Sequence, residues 1–322
     1  MKKFLFIFGV PFVLIVGYLI LDNILYDGVK SRSIDEGGFL AEYYALDTIQ
    51  NKPAVVLIGG GYSGDYWADQ FARKGYVGLS LPYSGEEGLP KLPEEIPLEY
   101  FESALTWLKS QPEVNPNKII VMGASRNAEA TLVVASTLTD LVSGAIAYAP
   151  SSVSWSNTVL PFNSDELKPS WTYHGEEIPF IPMDKLKGEE SEELDLLRYW
   201  NSGLNKSEYL ESASIKVENI NGPILLFSGK NDSVWPSAEM ANSIEQRLEA
   251  NNFAYSVQNI QYENAGHLIS RNPENDNDTK ARTEKMKLDG KDYSFSFGGT
   301  QEGDNLAKKD AKTKVFTFLE SL

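Results

Sequence analysis

The chain has 322 residues, enough for one large α/β domain or two average ones, with 42% apolar and 23% charged residues. Those fractions sit near the globular average and exclude wholesale disorder and collagen-like or low-complexity architectures. Asp and Glu number 45 against 29 Lys and Arg, a formal charge of −16 that repels phosphate backbones and argues against nucleic acid as a partner.

There is no cysteine, which excludes disulfides, thiolate catalysis, zinc–sulfur sites and a lipoprotein anchor. His174 and His267 are the two histidines, too few for a multi-histidine metal centre, so chemistry that needs an imidazole has two candidates.

Lys2 and Lys3 precede an uncharged run over residues 4–21. About 18 residues at the helical rise span roughly 27 Å, the thickness of a bilayer core. Residues 1–28 therefore read as a membrane anchor or signal-anchor in contact with the lipid bilayer, because no small-x-small cleavage site follows the run. The basic start predicts a single pass with a cytoplasmic N-terminus and an extracytoplasmic remainder, secretion after cleavage being the alternative. Residues 29–36 read as a polar stalk.

From residue 37 the pattern alternates strand and helix. Short apolar runs at Ala54–Ile58, Tyr76–Leu81, Lys118–Met122, Gly144–Tyr148 and Pro223–Ser228 suit strands buried on both faces of a mostly parallel sheet. Leu98, Phe101, Leu105 and Leu108 recur at helical spacing, as do Met240, Ile244 and Leu248. This predicts a doubly wound α/β domain over residues 37–322, with helices on both faces of the sheet and ligands beyond the carboxyl ends of the strands. Residues 151–215 interrupt the rhythm and read as an inserted cap with some helix of its own. Its aromatics Trp155, Phe162, Trp171, Tyr173, Phe180 and Trp200 suggest an apolar pocket, although such residues commonly pack a cap onto its domain. The polar stretch 271–304 reads as an exposed loop before a last amphipathic helix carrying Leu306, Val315, Phe318 and Leu319.

Gly-x-Ser occurs at Ser63, Ser80 and Ser125, and only Ser125 lies directly between a strand-like run and a helix-like one. A nucleophile elbow needs that setting, because the sharp turn lifts the serine oxygen clear of the sheet at a helix N-terminus. Gly123 and Ala128 supply the small neighbours, whereas Asn127 stands where the G-x-S-x-G pattern has glycine. Asp232 follows one strand candidate and His267, in Asn264-Ala265-Gly266-His267, follows another. Both fall at the strand edge where Ser125 emerges, in the order Ser, Asp, His expected of an α/β-hydrolase fold. His174 falls in the cap. The backbone N–H of Arg126 and one from the Gly59-Gly60-Gly61-Tyr62 loop, either Gly61 or Tyr62, are candidates for an oxyanion hole. No metal or organic cofactor is required by this chemistry.

These residues resemble the C-terminal catalytic domain of acyl-CoA thioester hydrolases and bile acid-CoA:amino acid N-acyltransferases. The likeness runs from about Pro53 to the C-terminus and is carried by Gly123-Ala124-Ser125-Arg126-Asn127-Ala128-Glu129, Asn231-Asp232-Ser233-Val234-Trp235-Pro236-Ser237 and Ala265-Gly266-His267-Leu268-Ile269. Ile178-Pro179-Phe180-Ile181-Pro182 and Gly298-Gly299-Thr300 are similar too. Arg126 and Asn127 depart from the family's Lys and Gly. The resemblance implies a Ser125–Asp232–His267 triad acting on an acyl thioester, with a carboxylic ester hydrolase or an acyltransferase on the same triad as alternatives. Conjugating members are associated with a cysteine nucleophile, which this chain lacks. A catalytically inactive binding protein of the same fold is the reading from another class.

Overall fold

The computed structural model describes residues 28–161, 163–188 and 190–322. Strands β1 (Arg32–Glu36) and β2 (Phe39–Tyr44) form an antiparallel hairpin. The chain continues through β3 (Lys52–Ile58), α1 (Gly61–Arg73), β4 (Val77–Leu81), the short β5 (Ile96–Pro97), α2 (Leu98–Lys109), β6 (Val114–Ala124), α3 (Arg126–Thr137) and β7 (Ala145–Tyr148). After a long excursion come β8 (Trp171–Tyr173), β9 (Glu176–Glu177), α4 (Leu196–Leu204) and α5 (Ser207–Ala213). Then follow β10 (Ile224–Gly229), α6 (Ser237–Ala250), β11 (Val257–Tyr262), β12 (Thr283–Leu288), β13 (Lys291–Ser296) and α7 (Gln301–Glu320).

Eight strands make one sheet in the order β1-β2-β4-β3-β6-β7-β10-β11, parallel from β4 onward and antiparallel at the β1–β2 edge. Side chains alternate across it. Ala54, Val56 and Ile58 of β3 enter a core shared with α2, α3 and α6, while Val55 and Leu57 enter a second core with α1 and α7. The sheet is thus covered on both faces, which is why its central strands are uninterrupted apolar runs. This is the α/β sandwich expected from the sequence.

Three expectations need adjustment. Residues 32–36 of the proposed stalk are strand β1, paired with β2 over five residues. Only Ile34 of β1 is buried, so an edge strand with polar outer positions carries little apolar signal. Within the expected loop 271–304, β12 and β13 form an antiparallel hairpin whose Leu288 and Tyr293 pack into the cap. Leu306 is exposed, and α7 buries Ala307, Ala311, Val315, Phe318 and Leu319 instead. The apolar run 4–21 lies outside the described residues. Among the described residues no helix is long and apolar enough to cross a membrane.

The cap over 151–215 contains β8, β9, α4 and α5 and has its own apolar cluster. Trp155, Trp200 and Trp235 follow one another edge-to-face with centroids 4.9 and 5.2 Å apart. Trp171 is buried against Tyr83 of the main domain. These tryptophans pack the cap rather than line a pocket, and Phe162 lies outside the described residues.

Candidate active site

Ser125 sits between the last residue of β6 and the first of α3 with φ 57° and ψ −125°, left-handed backbone that an L-residue adopts at some cost. Its N–H donates to Tyr148 O at 2.9 Å, and its carbonyl accepts the N–H groups of Ala128 and Glu129. The turn is held from both sides. Gly123 is obligatory there, since a Cβ would overlap the carbonyl of Asn127 and the hydroxyl of Thr131.

Asp232 follows β10 with its side chain 2% exposed. Its Oδ1 accepts the N–H groups of Val234 (2.9 Å) and Trp235 (3.2 Å), and its Oδ2 accepts the Ser237 hydroxyl at 2.7 Å. The loop after β11 brings His267 alongside, with Nδ1 2.9 Å from Asp232 Oδ2 and Nε2 3.1 Å from Ser125 Oγ. A carboxylate only accepts, so Nδ1–H donates to it and Nε2 is left as the acceptor for the serine hydroxyl. The structure therefore joins Ser125, His267 and Asp232, 142 and 35 residues apart along the chain, into one hydrogen-bond chain at the carboxyl edge of the sheet.

Sequence reasoning missed what sets the His267 loop in place. The N–H of His267 donates to Phe297 O at 2.9 Å, and Gly266 N–H donates to the buried Asp304 of α7 at 2.7 Å. Arg282 in turn donates to Asp304 at 2.5 Å and to the Gly298 carbonyl. Burial raises the Asp304 carboxyl, while the Gly266 N–H and Arg282 pull it back. A polar residue on the buried face of the last helix was the available signal.

Gly59 N–H donates to Leu81 O and Gly60 N–H to Leu57 O, so both are occupied. Gly61 and Tyr62 open α1, and Arg126 opens α3, with N–H groups that have no backbone acceptor among the described residues. A cavity of about 310 Å³ lies beside Ser125 and His267, bounded by Gly60, Tyr62, Leu57, Met122, Leu268 and the rings of Tyr66, Trp67 and Tyr148. Its aromatic wall comes from α1 and β7, not from the cap. Arg271, Asn272 and Asp278 also border it. His174 is outside this site: its ring is 70% exposed, lies on Tyr173 and approaches Glu99 at 3.4 Å.

Behind the elbow, Arg126 and Glu129 form a fully buried ion pair. Glu129 also accepts from Trp155 N–H (3.0 Å), Ser154 Oγ (3.2 Å) and Trp171 Nε1 (2.9 Å), while Arg126 reaches Ser170 Oγ at 2.7 Å. Burial raises the Glu129 carboxyl, and Arg126 with the three donors opposes it. The cap is thus bonded to the first turn of α3, the helix that follows Ser125. No cluster of three or more acidic, histidine or cysteine side chains suited to a metal occurs among the described residues.

The chain is similar to several known proteins. Acyl-coenzyme A thioesterase 1 from Rattus norvegicus is 30% identical over 75% of this chain and 54% of its own length. Acyl-coenzyme A amino acid N-acyltransferase 2 from Mus musculus is 29% identical over 75% of this chain and 55% of its own. The chain spans about half the length of these curated relatives. A crystal structure named for a dienelactone hydrolase of Klebsiella pneumoniae superposes with a TM-score of 0.53 at 14% identity, covering 91% of this chain and 98% of that one, a likeness of fold. The model of the BAAT / acyl-CoA thioester hydrolase C-terminal family matches residues 96–322, from β5 to the C-terminus with Ser125, Asp232 and His267 inside the match. On that match, the chain belongs to the BAAT / acyl-CoA thioester hydrolase C-terminal family, built on an α/β-hydrolase fold.

Proposed function

We propose that the protein is a serine hydrolase that cleaves acyl thioesters through Ser125, His267 and Asp232. The observation that carries the reading is the Oγ···Nε2 contact of 3.1 Å continued by the Nδ1···Oδ2 contact of 2.9 Å, on a serine at an elbow with φ 57°. His267 accepts the Ser125 proton as Oγ attacks the acyl carbonyl carbon. Asp232, holding Nδ1, stabilises the imidazolium that forms. The oxygen becomes negative between Arg126 N–H and the N–H of Gly61 or Tyr62, where two helix N-termini converge. Collapse breaks the carbon–sulfur bond, and the departing thiolate takes the proton from His267. Water, deprotonated by the same histidine, then releases the acid and restores Ser125. No cofactor takes part.

The family assignment and relatives named as acyl-coenzyme A thioesterases support the thioester as substrate. Acyl transfer to an amine is the second reading, favoured by the relative named as an amino acid N-acyltransferase. It uses the same acyl-serine and replaces water by the amine. We place the acyl group in the cavity of about 310 Å³, near the lower end for ligand pockets, and therefore favour short or medium acyl groups. We also assign residues 4–21 to a bilayer anchor, on the uncharged run behind Lys2 and Lys3.

The test is reaction with a fluorophosphonate, which requires an activated serine, followed by hydrolysis of an acyl-CoA and of an uncharged ester with the same acyl group. Labelling at Ser125 and turnover of the CoA ester are expected. Failure to label would leave a binding protein of this fold, and release of amide product in the presence of glycine or taurine would favour transfer. For the anchor, full-length protein should fractionate with membranes, and recovery in the soluble fraction would reject it.

A further inference from the structure

Asn127 occupies the elbow position where the family pattern has glycine, and its carboxamide is hydrogen-bonded to a buried tyrosine. Tyr83 Oη donates to its Oδ1 at 2.7 Å. Tyr83 is 3% exposed and wedged edge-on against Phe101 and Trp171, at centroid distances of 5.6 and 5.4 Å, so the phenol has no room to swing away. With Oδ1 accepting from Tyr83, Nδ2 is the end of the amide left to donate. That nitrogen lies directly against Gly59, where a Cβ would overlap it. Gly59 has φ +99°, so glycine is required there twice over, by the backbone and by the amide packed on it. The Asn127 amide fills the space that Gly59 leaves beside the elbow.

Among the described residues, neither N–H of Nδ2 has a hydrogen-bond acceptor. Asn127 borders the same cavity as Ser125 and His267. It stands in the seam between the first turn of α3 and the glycine loop before α1, the two elements whose free N–H groups were assigned to the oxyanion. A pre-oriented neutral donor in that seam costs no reorganisation when charge develops beside it.

We propose that Asn127 Nδ2 is a third oxyanion donor, hydrogen-bonding the acyl oxygen as it becomes negative, with Tyr83 as its positioning residue. The inference rests on the serine hydrolase reading above. As Ser125 Oγ bonds to the acyl carbon and His267 takes the proton, the carbonyl π pair moves onto oxygen, and Asn127 donates to that oxygen alongside Arg126 N–H. Collapse returns the pair to the carbonyl and expels the leaving group, and the hydrogen bond weakens again. An interaction made mainly in the transition state raises kcat and leaves KM nearly unchanged.

The experiment measures kcat and KM on an activated acyl ester for the parent, Asn127→Gly, Asn127→Asp and Tyr83→Phe, with thermal unfolding and fluorophosphonate labelling of each. Asn127→Gly restores the family's elbow residue and removes the donor. Asn127→Asp keeps the shape and the bond from Tyr83 but offers no N–H. Each should lower kcat on the order of 10²-fold, with KM changed less than about threefold. Tyr83→Phe should lower kcat roughly tenfold while Asn127 is untouched. A folded Asn127→Gly or Asn127→Asp enzyme with kcat within about threefold of the parent overturns the proposal. So does a loss confined to KM. If Asn127→Gly fails to fold, Asn127→Asp decides by the same criterion. A parent that neither labels nor turns over removes this inference together with the function beneath it, whereas an active parent indifferent to Asn127 removes this one alone.

Discussion

At Ser125 the backbone is held in a conformation that costs about 1–3 kcal/mol for a residue with a side chain, and the sheet and α3 hold it there. The strain places the hydroxyl within 3.1 Å of His267 Nε2. Ser125→Ala is expected to abolish esterase activity, by about 10⁴-fold or more, with an unchanged unfolding temperature, and His267→Ala to lose nearly as much because the three residues act as one unit. His174→Ala should stay within about twofold of the parent, since its ring is exposed on the cap. Steady-state rates on one ester check all three, and an essential His174 beside a dispensable His267 would reject the assignment. A second prediction concerns Gly59. Gly59→Ala forces a side chain into left-handed backbone and onto Asn127, so it should cost roughly 2 kcal/mol or more of stability and reduce kcat, read by chemical denaturation and initial rates. Ser125 and Asp232 were legible as candidates because each follows an apolar run that forms a strand, and His267 because it follows a strand candidate in a glycine-marked loop. Asp304 and Arg282 were not, because an Asp in the first turn of a helix more often complements the helix dipole at the surface than braces a loop from within.

Among the elements, the cap is bonded to α3 through Glu129, which meets Arg126, Trp155, Ser154 and Trp171 without access to solvent. Glu129→Ala would strand the Arg126 guanidinium and two indole or backbone donors, at a cost of about 3–5 kcal/mol. The expected result is loss of the cooperative unfolding transition or a cap that becomes protease-sensitive; a fully stable variant would show that the cap is held by its tryptophans alone. The root of the cap carries a second device. Arg247 of α6 grips Glu218 with two hydrogen bonds of 2.6 and 2.7 Å. Burial works to raise the Glu218 carboxyl, but the bonds and charge of Arg247 outweigh it and the pKa is lowered. A carboxyl whose folded pKa is depressed contributes stability above its unfolded value and loses it as pH falls through the folded one. The stability difference between the parent and Glu218→Gln should accordingly be full at neutral pH, about 1 kcal/mol for a half-buried bidentate pair, and disappear below the carboxylate range. A difference independent of pH would assign the effect to packing. Element by element, the buried strands and long helices were readable from their periodicity. The β12–β13 hairpin was not, since its exposed residues are polar and its buried ones meet a cap far away in sequence, as where Leu194 N–H donates to the Ser294 carbonyl across 100 residues.

For the whole molecule, the charge of −16 sets a field against any polyanionic substrate. Arg271 at the cavity border is a local cation that acts against that field at short range. If the substrate is an acyl-CoA, its kcat/KM should rise with added salt as long-range repulsion is screened, whereas an uncharged ester of equal acyl length should be nearly insensitive. A preference for the uncharged ester at every ionic strength would leave a plain carboxylic ester hydrolase. Val29, just ahead of β1, is tied to the domain by its N–H, which donates to Asp69 at 2.7 Å. Deleting residues 1–28 should therefore leave the unfolding temperature and the specific activity on a soluble ester within experimental error of the full chain. A collapse of either would mean that the segment contributes to the catalytic domain.

By itself, the sequence determined the layered α/β class, the serine at a strand–helix junction and the order of the three polar residues at strand ends. Apolar periodicity and the turn chemistry of Gly, Asp and Asn are local, and local patterns survive in a linear string. Only the tertiary structure decided what lies across from what. It turned part of the stalk into an edge strand, placed the cavity wall on α1 and β7 instead of the cap, and set Asn127 against Gly59. Each of those depends on residues distant in sequence filling one another's space, and close packing is a property of the folded volume that no periodicity records.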